Sequence, residues 1–332
     1  MPRLRYQNPV HPHYFADPYV WRHAGQYYAI GTGPAEAAGE VSGAGGATVF
    51  PLLRSPDLVQ WQPAGHALVR PDAALGDTFW APEIVQADGR WFMYYSVGHG
   101  DRSHQLRVAC SDEPLGPYVD CAQLTDPADV PFAIDPHPFQ DVDGRWYLFS
   151  ARDFLETVDD SGAAVRAGTA LVVHAMASMT ALVPGSGRTV ARARFDWQRF
   201  AADRPMYGQV FDWHTLEGPF VVRHDGRYYC LYSGGSWQTP SYGVDYVVAD
   251  SVMGPYVDDA PGAGPRVLRT VPGQVLGPGH CSVTVGPDGS SRYLVYHAWG
   301  PDQAARRMCI DPLEFTADGP SSPGPSWLPQ HR

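Results

Sequence analysis

EGPFVVRHDGRYYCLYS, residues Glu217–Ser233, sets a short apolar run, an Asp-Gly dipeptide and a second run dense in aromatics side by side. Two such runs around a turn dipeptide read as paired strands, and Asp225-Gly226 supplies the positive φ values that a two-residue hairpin turn requires. The pattern recurs as DPYVWRHAGQYYAIG from Asp17, PEIVQADGRWFMYYS from Pro82, DPHPFQDVDGRWYLFS from Asp135 and HCSVTVGPDGSSRYLVYH from His280. The turn glycines Gly25, Gly89, Gly144, Gly226 and Gly289 stand 64, 55, 82 and 63 residues apart, too far for one hairpin and suited to a four-stranded sheet with loops. A second hairpin follows several copies, ending at Leu115-Gly116-Pro117-Tyr118 and Met253-Gly254-Pro255-Tyr256. Repetition of this period predicts an all-β fold, a five-bladed β-propeller in which each blade is a four-stranded antiparallel sheet. The expected organisation is one domain over 1–318 and a Pro/Ser/Gly-rich tail over 319–332.

Composition agrees with many short strands. The 35 Gly and 32 Pro make up about a fifth of the chain, which disfavours a helical bundle. A net charge of −11 without a Lys/Arg cluster argues against nucleic acid as a partner. No run approaches a membrane span, and MPRLRYQNPV is not a signal peptide, so the expectation is a cytoplasmic protein or a secreted one with its leader removed. Five cysteines without a CxxC pair (Cys110, Cys121, Cys230, Cys281, Cys309) are read as buried free thiols. Two segments break the repeat and are read as loops: Gly31–Ala47, and an enlarged loop or hairpin over Val158–Arg194.

The residues that head the five repeats are Asp17, Glu83, Asp135, Glu217 and His280, lying 8, 6, 9, 9 and 9 residues before their turn glycines. First strands of propeller blades line the central channel, so these positions converge at one mouth. Gathering carboxyls raises their pKa values and does not favour stability. Glycoside hydrolysis needs that arrangement, one carboxyl protonated toward the leaving oxygen and another ionised to activate water. Glu83 sits nearer its turn and is read as structural.

At these residues the chain resembles the family 43 glycoside hydrolases, through FADPYV at Asp17, WAPE at Trp80, AIDPHPF at Asp135, LEGPFV at Glu217 and Gly-Pro-Gly-His at Gly277–His280. The resemblance implies a five-bladed propeller and an inverting glycosidase, with Asp17 as general base, Glu217 as general acid and Asp135 tuning the acid. Inversion implies a separation of roughly 6.5–9.5 Å between the base and acid carboxyls. The resemblance also implies a sugar-contacting Arg306, with Arg307 as the alternative register, and a structural calcium at the propeller centre held near His280 or His297, no cofactor being otherwise required. Trp80, Phe79, Trp213 and Trp237 are the candidate aromatic sugar contacts. The implied substrate is an oligosaccharide or polysaccharide of plant cell walls, cut by exo-acting α-L-arabinofuranosidase or β-D-xylosidase activity. Alternatives are an endo-arabinanase or galactanase, a related propeller enzyme transferring sugar to phosphate, and a non-catalytic carbohydrate-binding propeller.

Overall fold

The computed structural model describes residues 4–33, 48–260, 262 and 264–330. The fold is all-β, and among the described residues helix is limited to two single 3-10 turns. No described helix is long and apolar enough to cross a membrane.

The repeated hairpins form as their turns dictate. Ala24-Gly25, Asp88-Gly89 and Asp225-Gly226 all have φ between 46° and 82° at both central residues, the left-handed pair that matches strand twist. The first sheet contains β1 (Ala16–His23), β2 (Gln26–Thr32), β3 (Thr48–Ser55) and β4 (Gln62–Val69) in sequential order. The second contains β5 (Thr78–Ala87), β6 (Arg90–His99), β7 (Arg102–Ser111) and β8 (Val119–Gln123). The third is built on β9 (Ala133–Gln140), β10 (Trp146–Phe154) and β11 (Gly168–Ser178), edged by β12 (Ala181–Leu182) and β13 (Arg188–Ala191). The fourth unit has β14 (Arg199–Met206), β15 (Gln209–His224), β16 (Arg227–Gly234) and β17 (Gly243–Ala249). The fifth contains β18 (Leu276–Val285), β19 (Arg292–Trp299), β20 (Arg306–Thr316) and β21 (Gly319–Ser321).

Third and fourth units share one nine-stranded sheet, because β11 touches β15 in parallel through Gly168–Thr169 and His214–Thr215. Gly168 has no alternative there: with φ +148°, a Cβ would lie 1.8 Å from the His214 carbonyl oxygen.

Each unit meets the next across an apolar layer. Phe50, Phe79 and Tyr95 fill the first such layer, between units one and two. Tyr94, Leu106 and Leu148 join two to three, and Phe149, Leu171 and Tyr232 join three to four. Leu231, Tyr246 and Tyr296 join four to five, while Tyr27, Val295 and Ile310 join five back to one. Residues before β1 reinforce that last contact. Phe15 N–H donates to the Arg306 carbonyl (2.9 Å), Ile310 N–H to Asn8 Oδ1 (2.9 Å) and Tyr6 Oη to Asp311 Oδ1 (2.8 Å).

Two expectations need correction and one is resolved. Of the loop or hairpin expected over Val158–Arg194 the structure has the hairpin: β11, whose Leu171 and Val173 are fully buried, pairs antiparallel with β12 and β13. Its aliphatic residues replace the aromatics that mark the other strands. Of Gly31–Ala47, Gly31 and Thr32 end β2, and residues 34–47 lie outside those described. The boundary at 318 falls inside a hairpin, since β21 pairs with β20, and Ser326 Oγ donates to Asp311 Oδ1 (2.6 Å).

The cysteine reading is partly overturned as well. Cys110 on β7 and Cys121 on β8 form a disulfide across neighbouring strands, their Cα atoms 6.1 Å apart, while Cys230, Cys281 and Cys309 are buried free thiols. Adjacent antiparallel strands bring such pairs within disulfide reach, a proximity invisible to a search for CxxC. Thiol titration of the unfolded protein should therefore count three groups without reductant and five with it; five in both cases would remove the disulfide.

Candidate active site

The strands that head the five repeats (β1, β5, β9, β15 and β18) carry the same irregularity. Asp17, Ala81, Asp135, Gly218 and His280 have φ of 50°, 47°, 59°, 57° and 48°, and the ladder register shifts at each of these positions. Counting from these residues to their turn glycines gives 8, 8, 9, 8 and 9. Ala81 and Gly218 are thus the true equivalents of Asp17, in place of Glu83 and Glu217. Proline follows four of the five, consistent with a position already outside the hydrogen-bond ladder. A bulge of this kind re-aims side chains, and here it gathers carboxyls at one end of these strands.

Asp17 is buried at the centre of a basic group. Its Oδ1 lies 3.2 Å from His297 Nδ1, 3.4 Å from His280 Nδ1 and 3.5 Å from Arg306 Nη1, and Thr32 Oγ1 donates to its Oδ2 (2.6 Å). Burial would push this carboxyl up, but His280, Arg306 and His297 outweigh it and hold it well below the usual carboxylate range. Burial also pulls both imidazoles down, His297 to about 4, so near neutral pH Arg306 is the full positive charge in the group.

Asp135 Oδ2 accepts the Gly218 N–H (2.8 Å) and lies 4.0 Å from His280 Nδ1, so the imidazole stands between the two aspartates. Burial, then Glu217 and Asp17, push Asp135 up. Glu217 is partly open to solvent, and its Oε1 accepts a 2.6 Å bond from Tyr242 Oη. Burial pushes Glu217 up to about 7 and Asp17 adds to the rise, against the Tyr242 bond and Arg306. The three acids named from the sequence therefore form one electrostatic unit. Glu83 instead bonds His137 Nδ1 (2.8 Å), whose Nε2 accepts the Val221 N–H (3.1 Å), a chain linking β5, β9 and β15.

The remaining candidates divide. Arg306 is buried, donates to Tyr14 Oη (2.8 Å) and lies 4.5 Å over the Trp237 ring, while Arg307 points away to Asp302. Trp237 stacks on Trp299, ring centres 5.9 Å apart. Trp80 is partly exposed and has one face stacked on His104 at 3.8 Å. Phe79 and Trp213, at 0% and 1% exposure, are packing residues without a face to offer a sugar. Their aromatic character in a strand marked burial, not binding.

Calcium finds no fitting donors at the histidines. His297 Nε2 is buried without a hydrogen-bond partner, yet among the described residues no group of three or more His, Cys, Asp or Glu side chains is arranged to hold a metal. Calcium takes six to eight oxygen ligands, and these histidines offer nitrogen. Sequence reading missed Thr32, Tyr242 and Trp299. Thr32 lay in a GTG stretch read as loop, and Tyr242 lies 25 residues beyond its partner Glu217 with no motif to mark it.

One carboxyl held well below the usual range and another pushed up to about 7 thus belong to the same site. The sequence matches the family described as glycosyl hydrolases family 43 over residues 6–320. It is 27% identical to the beta-D-galactofuranosidase xynD of Aspergillus niger, covering 94% of this chain and 83% of that protein. It is 26% identical to an extracellular exo-alpha-(1->5)-L-arabinofuranosidase of Streptomyces avermitilis, covering 94% of this chain and 59% of that protein. Among solved structures it resembles a thermostable family-43 glycoside hydrolase, with a TM-score of 0.78, 31% identity and 98% of both chains covered. The chain belongs to glycosyl hydrolases family 43 and is a glycoside hydrolase.

Because the Tyr242 bond stabilises the Glu217 carboxylate, Tyr242→Phe should raise the Glu217 pKa. A limb of the kcat/KM–pH profile that reports loss of the Glu217 proton should move upward. An unmoved or lowered limb would dissociate Tyr242 from the acid.

Proposed function

We propose that the chain is an inverting, exo-acting glycosidase on plant cell-wall oligosaccharides, an α-L-arabinofuranosidase or β-D-xylosidase built as a five-bladed propeller. The cyclic order of apolar layers, from unit one through five and back to one, supports the propeller. The observation that carries the mechanism is the split between Asp17, held ionised, and Glu217, pushed up to about 7.

In this reading Asp17 takes a proton from water as the oxygen attacks the anomeric carbon. Glu217 gives its proton to the departing glycosidic oxygen. Asp135 is a positioning residue: by accepting the Gly218 N–H it fixes the backbone that carries Glu217, and its buried carboxyl disfavours a second negative charge beside it. Arg306 holds Asp17 ionised and, with Trp237 and Trp299, offers a cationic and aromatic wall suited to sugar hydroxyls and an apolar ring face. Both half-reactions are proton transfers by carboxyls, so the chemistry needs no cofactor.

A furanoside is favoured within this reading. Relatives named for activity on galactofuranosides and on α-1,5-linked arabinofuranosides align over 94% of the chain, and the two sugars share the configuration of their five-membered ring. Relatives named for xylosidase/arabinosidase activity align over little more than half of it.

Asp17→Ala and Glu217→Ala should remain folded and lose about 100- to 10,000-fold in kcat on aryl glycosides. NMR of the first product formed from a panel of aryl arabinofuranosides, galactofuranosides and xylosides should show the inverted anomer. Retention of configuration, or full activity in either variant, would overturn the assignment; binding without turnover of any substrate would point to a carbohydrate-binding propeller.

A further inference from the structure

A cavity of about 380 Å³ lies beside the third unit and shares no residue with the carboxyl cluster. Its ionisable lining residues are Arg152, His174 and Arg188, and no carboxylate lines it. In a chain of net charge −11 this is an unusual local balance.

Among the described residues none of the three basic side chains makes a salt bridge, although Glu156 and Asp153 act on Arg152 through space. Among the described residues, the Arg152 side chain makes no hydrogen bond or ion pair, and its guanidinium carbon sits 3.9 Å over the Phe154 ring. Stacking of that kind leaves the guanidinium edge free to donate. Asp153, the neighbouring acid, is bonded to Thr169 and Tyr207 instead. Arg188 donates only to the carbonyls of Gly185 and Gly187 in its own turn. His174 Nδ1 is buried and has no hydrogen-bond partner. Burial and the Arg152 charge both push the His174 pKa down, a repulsion that an anion between them would relieve. His174 is also fixed in place, since Gly187 approaches its Nε2 so closely that a Cβ there would lie 2.7 Å away.

We propose that this cavity binds a sugar-sized ligand through a carboxylate group, a uronate being the simplest such ligand. Guanidinium edges from Arg152 and Arg188 suit a planar carboxylate. Ser150, Thr125 and Thr189 supply further polar lining, and the volume falls within the range of small-ligand sites. The site sits close to the hydrolytic centre along the chain: Ala133, which lines the cavity and pairs with Arg152, lies two residues before Asp135. It would therefore hold an acidic substituent on the same glycan that the centre cleaves, a consequence that rests on the proposed glycosidase reading. The binding itself does not.

Calorimetric titration of the full chain with D-glucuronate, D-xylose and inorganic phosphate tests the assignment. Glucuronate should bind saturably and more tightly than phosphate, and xylose should give no Arg188-dependent binding. Arg152→Gln and Arg188→Gln should each weaken glucuronate about tenfold or more. Arg188 is exposed and touches only its own turn, so Arg188→Gln should fold normally and keep its rate on a small neutral aryl glycoside. Absence of saturable glucuronate binding, equal affinity in wild type and Arg188→Gln, or phosphate binding as tight as glucuronate would each overturn the proposal. Loss of hydrolysis in Asp17→Ala with this binding intact would leave the two readings separately judged.

Discussion

Five residues in left-handed backbone, one in the strand that heads each repeat, set the conditions for the whole carboxyl cluster. Four of them are not glycine, and each of those costs about 1–2 kcal/mol relative to ordinary strand geometry. Each bulge also takes a backbone N–H out of its ladder. Side chains of neighbouring strands receive four of these groups. Asp17 N–H goes to His297 Nδ1 (3.1 Å), Ala81 N–H to Thr32 Oγ1 (3.0 Å), Gly218 N–H to Asp135 Oδ2 (2.8 Å) and His280 N–H to Ser233 Oγ (2.7 Å). The strained positions are thus held by the contacts that join one strand unit to another, and three of the acceptors, His297, Thr32 and Asp135, are themselves members of the active-site group.

That coupling explains why the carboxyls differ. Asp17 projects from a kinked position beside β19 and β20, where His297 and Arg306 face it. Glu217 precedes its kink and meets a neutral donor, Tyr242, so burial dominates there. Asp135, next to the Gly218 kink, has a backbone N–H as its closest stabilising partner and is pushed up. Residue types that are chemically alike are separated by which sheet supplies the neighbour, and the separation is what acid–base hydrolysis requires.

Much of this was legible from hairpins alone. Asp-Gly turns followed by aromatic strands marked the five repeats, because the turn chemistry and the strand burial are local properties. The three acids followed from their place at the head of those repeats. What escaped was non-local or aliphatic. β11 lies in a segment legible only as a loop or hairpin, because Leu171 and Val173 carry its burial without an aromatic, and the Cys110–Cys121 pair depends on strand register. The equivalence of Ala81 with Asp17 was available in the Xaa-Pro dipeptides, but attention to charge favoured Glu83. Phe79 and Trp213 show the opposite error, aromatics chosen for binding that are fully enclosed.

The split in carboxyl ionisation can be observed directly by carbon NMR of protein labelled at the Asp and Glu carboxyl carbons, with Asp17→Asn and Glu217→Gln used for assignment. Glu217 should titrate near pH 7, and Asp17 should stay ionised through the range in which ordinary aspartates take up protons. Finding both groups titrating together near pH 4 would contradict the division of roles from which the mechanism is built.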